Sequence, residues 1–102
     1  MTGLLAETEI QTALADLPNW QRAEETIVAT YAMPTFPHAI ALVTAAAAEA
    51  EAADHHPDMD IRWRRVTFAL TTHDAGGLTS RDVALAAVID RAAVGLGWRP
   101  DA

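Results

Sequence analysis

Between Thr26 and Met33 the chain alternates, with Ile27, Ala29, Tyr31 and Met33 on one side and Thr26, Thr30 and Ala32 on the other. A period of two marks a strand with one buried face. The same pattern returns at Val66, Phe68 and Leu70, set against Thr67, Ala69 and Thr71. Each stretch has a neighbour to pair with. Trp20 to Met33 reads as a hairpin turning near Arg22–Glu25. Asp60–Trp63 precedes Val66–Thr72 as a second β pair or one bent strand, and Trp63, alternating with Arg62 and Arg64, reads as core. Strand pairs separated by helices constrain the fold to an α+β, two-layer arrangement: a four-stranded antiparallel sheet with helices packed on one face.

The segments between the strand pairs carry helical signals. Ile10, Ala13, Leu14 and Leu17 recur at i, i+3, i+4 and i+7 in Glu7–Leu17, with Glu7 and Glu9 at the end the helix dipole favours for acids. Thr35 is a suitable N-cap for a second helix running to about Asp54, and Pro37 is tolerated in its first turn. Phe36, Ile40, Val43, Ala47 and Ala50 form one apolar stripe along it, and His38 is expected at its surface. Pro57 stops this helix. Asp74-Ala75-Gly76-Gly77 is a turn, and Thr79 with Asp82 three residues on resembles a capping box opening a last helix to about Val94. Gly95 and Gly97 end it, and Trp98-Arg99-Pro100 reads as a tail. The order is α-β-β-α-β-β-α.

With 102 residues, 51% of them apolar, the chain suffices for one core, and residues 1–102 are read as a single domain. The net charge of −7, with no basic run beyond Arg64-Arg65, argues against nucleic acid and against an anionic membrane surface. No basic-then-apolar leader is present near Met1 and no apolar run reaches spanning length, so a soluble cytoplasmic protein is expected. There is no cysteine, which removes disulfides and thiolate metal sites.

Asp54-His55-His56-Pro57 and Thr72-His73-Asp74 hold three of the four histidines, each group at the end of an expected element. Neighbouring histidines diverge by about 100° on a helix, or to opposite faces of a strand, so no metal site is expected from His55, His56, His73 and Asp82. Nucleophilic catalysis lacks a cysteine, and Ser80 has no activating pattern. Gly76-Gly77 lacks the Walker and Rossmann spacings. General acid–base chemistry remains, which imidazole performs near neutral pH. The plainer alternative is that His55 and His56 cap the last helical turn and that His73 is a strand-end surface residue.

Taken together, Glu51-x3-His55-His56-Pro57-x5-Trp63-x9-His73-x8-Asp82 resembles the signature of the pterin-4a-carbinolamine dehydratases. The resemblance extends to Leu17-Pro-x-Trp20 and to Thr72-His73-Asp74-x-Gly76-Gly77-Leu78-Thr79 and covers nearly the whole chain. It implies dehydration of 4a-hydroxytetrahydrobiopterin, or a related tetrahydropterin, to the quinonoid dihydropterin, with no metal and no organic cofactor. By the same resemblance His55 and His73 are the acid/base pair and His56 holds the pterin. Asp82 orients His73 or simply caps its helix. Glu51, Asp54, Pro57, Thr72, Asp74 and Trp20 are candidates for substrate binding. Trp20 reads first as a core plug, and Glu51 reads equally as a solvated carboxylate. The family's oligomers imply a homodimer or homotetramer, and its reaction implies a link to an aromatic amino acid hydroxylase. A non-catalytic dimerisation or assembly module on the same fold is the alternative.

Two positions depart from the family pattern. Trp63-Arg64-Arg65-Val66 stands where Tyr-Asn-x-Val is usual, and Tyr31-Ala32-Met33 replaces Phe-x-Phe. Asn tolerates a tight backbone better than Arg, so an altered bend is expected at Arg64.

Overall fold

In a computed structural model, which describes residues 3–100, the elements follow the expected order. They are α1 (Glu7–Ala15), β1 (Gln21–Ala23), β2 (Thr26–Ala32), α2 (Phe36–Ala53), β3 (Asp58–Arg62), β4 (Arg65–Leu70) and α3 (Ser80–Gly95). A short 3-10 turn, His73–Ala75, lies between β4 and α3. The four strands form one antiparallel sheet in the order β1-β2-β4-β3. The fold is α+β.

The alternation in β2 and β4 sets the core. Ile27, Ala29, Tyr31, Val66, Phe68 and Leu70 are buried, and the register pairs Ile27 with Leu70, Ala29 with Phe68 and Tyr31 with Val66. Tyr31 is the hub. Its ring meets Trp98, Phe68 and Trp20 edge-on at centroid distances of 4.9, 6.0 and 6.4 Å. Its hydroxyl accepts from Trp20 Nε1 at 2.8 Å and donates to Asp90 Oδ1 at 2.7 Å. Burial first, and then the Asp90 carboxylate, push this phenol well above its ordinary range, so it stays a neutral donor. Trp98, expected in a tail, is therefore part of the core.

Helix α2 turns a different face inward from the one its sequence suggested. Ala39, Leu42, Ala46 and Ala50 are buried, whereas Phe36, Ile40 and Ala47 are exposed and Val43 is half-buried. The physical reason is the alanine content. With apolar residues on nearly every side of the helix, periodicity cannot choose the face, and small side chains let α2 approach its neighbours closely.

Trp63, expected in the core, is 82% exposed and has φ +56° in the β3–β4 turn. A two-residue turn between twisted antiparallel strands favours positive φ, and its side chains point to solvent. The left-handed residue is thus Trp63 and not Arg64. Arg64 is absorbed differently: its Nη1 donates to the Met33 carbonyl at 2.7 Å, and its own carbonyl accepts from Met33 N at 2.8 Å. All of β3 is exposed, and its charged Asp58, Asp60 and Arg62 suit an edge strand.

Candidate active site at the junction of two helix ends

The C-terminus of α2 meets the N-terminus of α3. Helix α2 ends with Asp54 in the left-handed region, φ 51°. Asp54 N donates to the Glu51 carbonyl at 3.1 Å and His55 N to the Ala50 carbonyl at 3.0 Å. This is a Schellman closure, which satisfies carbonyls a helix end would otherwise leave open. Pro57 follows two residues beyond His55 and prevents the helix from resuming. The Arg81 guanidinium adds bonds to the carbonyls of Ala53 at 3.2 Å and Asp54 at 2.6 Å. A cation at a helix C-terminus also complements its dipole. The capping histidines of the plainer alternative are not needed: backbone and Arg81 close the helix.

The reversal aims His55 inward. Its ring is only 8% exposed, and Nε2 lies 2.6 Å from Asp82 Oδ1. Asp82 is fully buried at the N3 position of α3. Its second oxygen accepts from Thr79 N at 2.9 Å and from the Thr72 hydroxyl at 2.7 Å. The capping box at Thr79 and Asp82 is present as the spacing suggested. A carboxylate so enclosed is held in one orientation by three donors.

Three of the residues singled out by the sequence are placed as follows. Asp82 engages His55 and not His73. Arg81 ties the start of α3 to the end of α2, so the imidazole that enters the gap comes from α2, while His73 sits exposed at the start of the 3-10 turn. Thr72 is 2% exposed, with its hydroxyl engaged by Thr79 and Asp82 beneath the surface. Trp20 is buried and bonded to Tyr31, which bonds Asp90, eight positions along α3 from Asp82. It belongs to the core away from the histidines.

The remaining candidates gather at the same end of the molecule. His56 is exposed, with Nε2 3.0 Å from Glu51 Oε1, one turn back on α2. A polar contact open to solvent on both sides contributes little to stability, which leaves both side chains available to a ligand. Asp54 and Asp74 are exposed and Pro57 is half-buried. His73 directly follows Thr72, whose backbone bridges to Gly77 at the loop's base. His38 is exposed on the first turn of α2, bonded to Thr35. Among the described residues no three His, Asp or Glu side chains converge as a metal would require. A cleft of about 410 Å³ lies toward the other end of α3, beside Asn19, Asp90 and Trp98, and contains no histidine. Sequence reasoning missed Thr79 and Arg81 as supports. The signals were there: an N-cap threonine three residues before a buried acid, and a lone cation at the head of the helix that follows.

The arrangement offers one buried, carboxylate-backed imidazole and two exposed ones, a set suited to proton transfer on a small substrate. The sequence profile described as Pterin 4 alpha carbinolamine dehydratase matches residues 3–92. A relative from Nocardia farcinica, provisionally named pterin-4-alpha-carbinolamine dehydratase, is 56% identical over 92 residues, covering 90% of this chain and 97% of its own. One of the same provisional name from Chloroflexus aurantiacus is 58% identical over 86 residues, covering 84% and 92%. Among solved structures, a transcriptional coactivator/pterin dehydratase from Brucella melitensis superposes with TM-score 0.86 at 32% identity, over 89% of this chain and 99% of that one. A pterin dehydratase-like RuBisCO assembly factor of the alpha-carboxysome shares the fold, with TM-score 0.63 at 22% identity over 74% and 89%. The chain belongs to the pterin 4 alpha carbinolamine dehydratase family.

Proposed function

We propose that this chain dehydrates a 4a-hydroxytetrahydropterin, 4a-hydroxytetrahydrobiopterin or a close relative, to the quinonoid dihydropterin. The hydroxyl at C4a leaves with a proton as water, and the proton on N5 is removed. His55 and His73 exchange those protons, and His56, with Glu51 beside it, orients the ring. Asp54, Pro57 and Asp74, next to these histidines in the chain, contribute to binding the substrate. The observation that carries the reading is the 2.6 Å contact between the nearly buried His55 and the fully buried Asp82. A carboxylate there stabilises the imidazolium that forms when the ring takes a proton, a pairing of general value for acid–base catalysis. All the chemistry falls to side chains, with no cofactor. The source of such a hydroxypterin is an aromatic amino acid hydroxylase, and the working location is the cytoplasm. No helix among the described residues is long and apolar enough to cross a membrane. In the test, a hydroxylase generates the hydroxypterin and its decay is followed by absorbance. The protein is expected to accelerate that decay, and an unchanged rate with folded protein would sink the proposal.

The outward stripe of α2, Phe36, Ile40 and Ala47, and the open edge of β3 support assembly as a homodimer or homotetramer. Light scattering is expected to give two or four times the mass of 10.9 kDa, and a single-chain mass overturns this. The same surface favours the second reading, a non-catalytic interaction module. That reading predicts partner binding that survives His73→Ala.

A further inference from the structure

Beneath His55 lies a chain of hydrogen bonds whose directions can be assigned one after another. Arg81 N–H donates to Thr79 Oγ1 at 3.3 Å, the N-cap bond of α3. Thr79 Oγ1 and Thr72 Oγ1 are 2.8 Å apart, and Thr72 Oγ1 is 2.7 Å from Asp82 Oδ2. An ionised carboxylate only accepts, so the Thr72 hydroxyl proton points at Asp82. Thr72 then has no second proton to give, and the Thr79 hydroxyl must donate to Thr72. On the other side of the carboxylate, Oδ1 faces His55 Nε2 alone. An ionised carboxylate has no proton to give, so in this contact the ring nitrogen is the donor and the shared proton rests on nitrogen. Every hydrogen in the row is thereby placed.

The consequence falls on the other ring nitrogen. A neutral imidazole carries one N–H; with it on Nε2, Nδ1 holds a lone pair. Among the described residues Nδ1 has no protein partner, and no side-chain nitrogen or oxygen is both buried and unpartnered. The small exposed part of His55 therefore includes Nδ1.

From this we infer that Thr72 is a positioning residue: through the Thr79–Thr72–Asp82 row it fixes His55 as the Nε2–H tautomer, leaving Nδ1 as the atom that exchanges protons with substrate. In each cycle Nδ1 takes a proton, the ring becomes imidazolium against the Asp82 carboxylate, and the same Nδ1–H is given up again. The catalytic part of this assignment rests on the dehydratase reading; the tautomer does not. Thr72→Val keeps the shape and removes the proton that aligns Asp82, whereas Thr72→Ser keeps it.

The test combines nitrogen-15 spectra of the histidine rings, at a pH where His55 is neutral, with dehydration kinetics. The wild-type ring is expected to show its proton on Nε2. A proton on Nδ1 overturns the inference, and this holds even if no Thr72 variant can be purified. In folded Thr72→Val a mixture of tautomers is expected, with kcat lowered about tenfold and KM unchanged, the size usual for a residue that orients a catalytic group. Thr72→Ser is expected to recover both the spectrum and most of the rate. Thr72→Val with the wild-type tautomer and full kcat overturns the positioning role while leaving an active wild type intact. A wild type with the Nε2–H spectrum but no dehydration supports the tautomer and sinks the catalytic reading alone.

Discussion

Asp82→Ala is expected to lower the stability of the domain by about 3–5 kcal/mol, the cost of breaking a buried charge-paired network by removing one partner. The substitution strips a fully buried carboxylate of its place and leaves three donors facing a void: His55 Nε2–H, the Thr72 hydroxyl and Thr79 N–H. Each unsatisfied buried donor costs about 1–3 kcal/mol before relaxation or entering water offsets part of it. The start of α3 also loses the acid half of its capping box. For a domain of this size each kcal/mol moves the melting temperature by about 4–8 °C, so a fall of more than about 12 °C is expected in a thermal melt. Urea denaturation should show a lower midpoint with little change in slope. A variant that melts within a few degrees of wild type would mean that water takes over these groups readily and that the network does not hold the site.

The second large effect is kinetic and separates the two histidines proposed to transfer protons. His73→Ala is expected to slow dehydration by about 10²- to 10⁴-fold, the usual range for loss of a positioned acid or base. The melting temperature should not move, because His73 is exposed and makes no side-chain hydrogen bond among the described residues. His55→Ala is expected to lose rate over the same range of about 10²- to 10⁴-fold. It should also melt lower, because it leaves the buried Asp82 carboxylate without one of its hydrogen-bond donors. The pair of measurements, rate and melting temperature on each variant, checks the division. Full activity in both variants would remove the histidines from the mechanism. Equal stability in both would mean that the His55–Asp82 contact contributes nothing to the fold.

That asymmetry could not be read from the chain. By sequence the three histidines are alike, each at an element's end, and the capping box at Thr79 and Asp82 was legible as a local pattern. Which imidazole Asp82 would meet depended on contact between helices far apart in sequence. Arg81 bonding the carbonyls of Ala53 and Asp54 brings the end of α2 over the start of α3, and this decides for His55. Thr72 shows the same limit. Its place beside His73 suggested a substrate-binding role, while in the structure its side chain is buried against Asp82 of α3.

What the sequence determined by itself was whatever short-range physics governs. Alternation in β2 and β4 marked the buried face of the sheet, Thr35 and Thr79 marked helix starts, and Pro57 marked where α2 could not continue. These are effects of side-chain period and backbone sterics within a few residues. The tertiary structure decided what depends on packing between elements. It chose the Ala39–Leu42–Ala46–Ala50 face of an alanine-rich helix that is apolar nearly all round, sent Trp63 to solvent at a turn, and drew Trp98 in against Tyr31. It also gave Asp82 to His55, because a buried carboxylate pairs with whichever donor the meeting of two helix ends delivers.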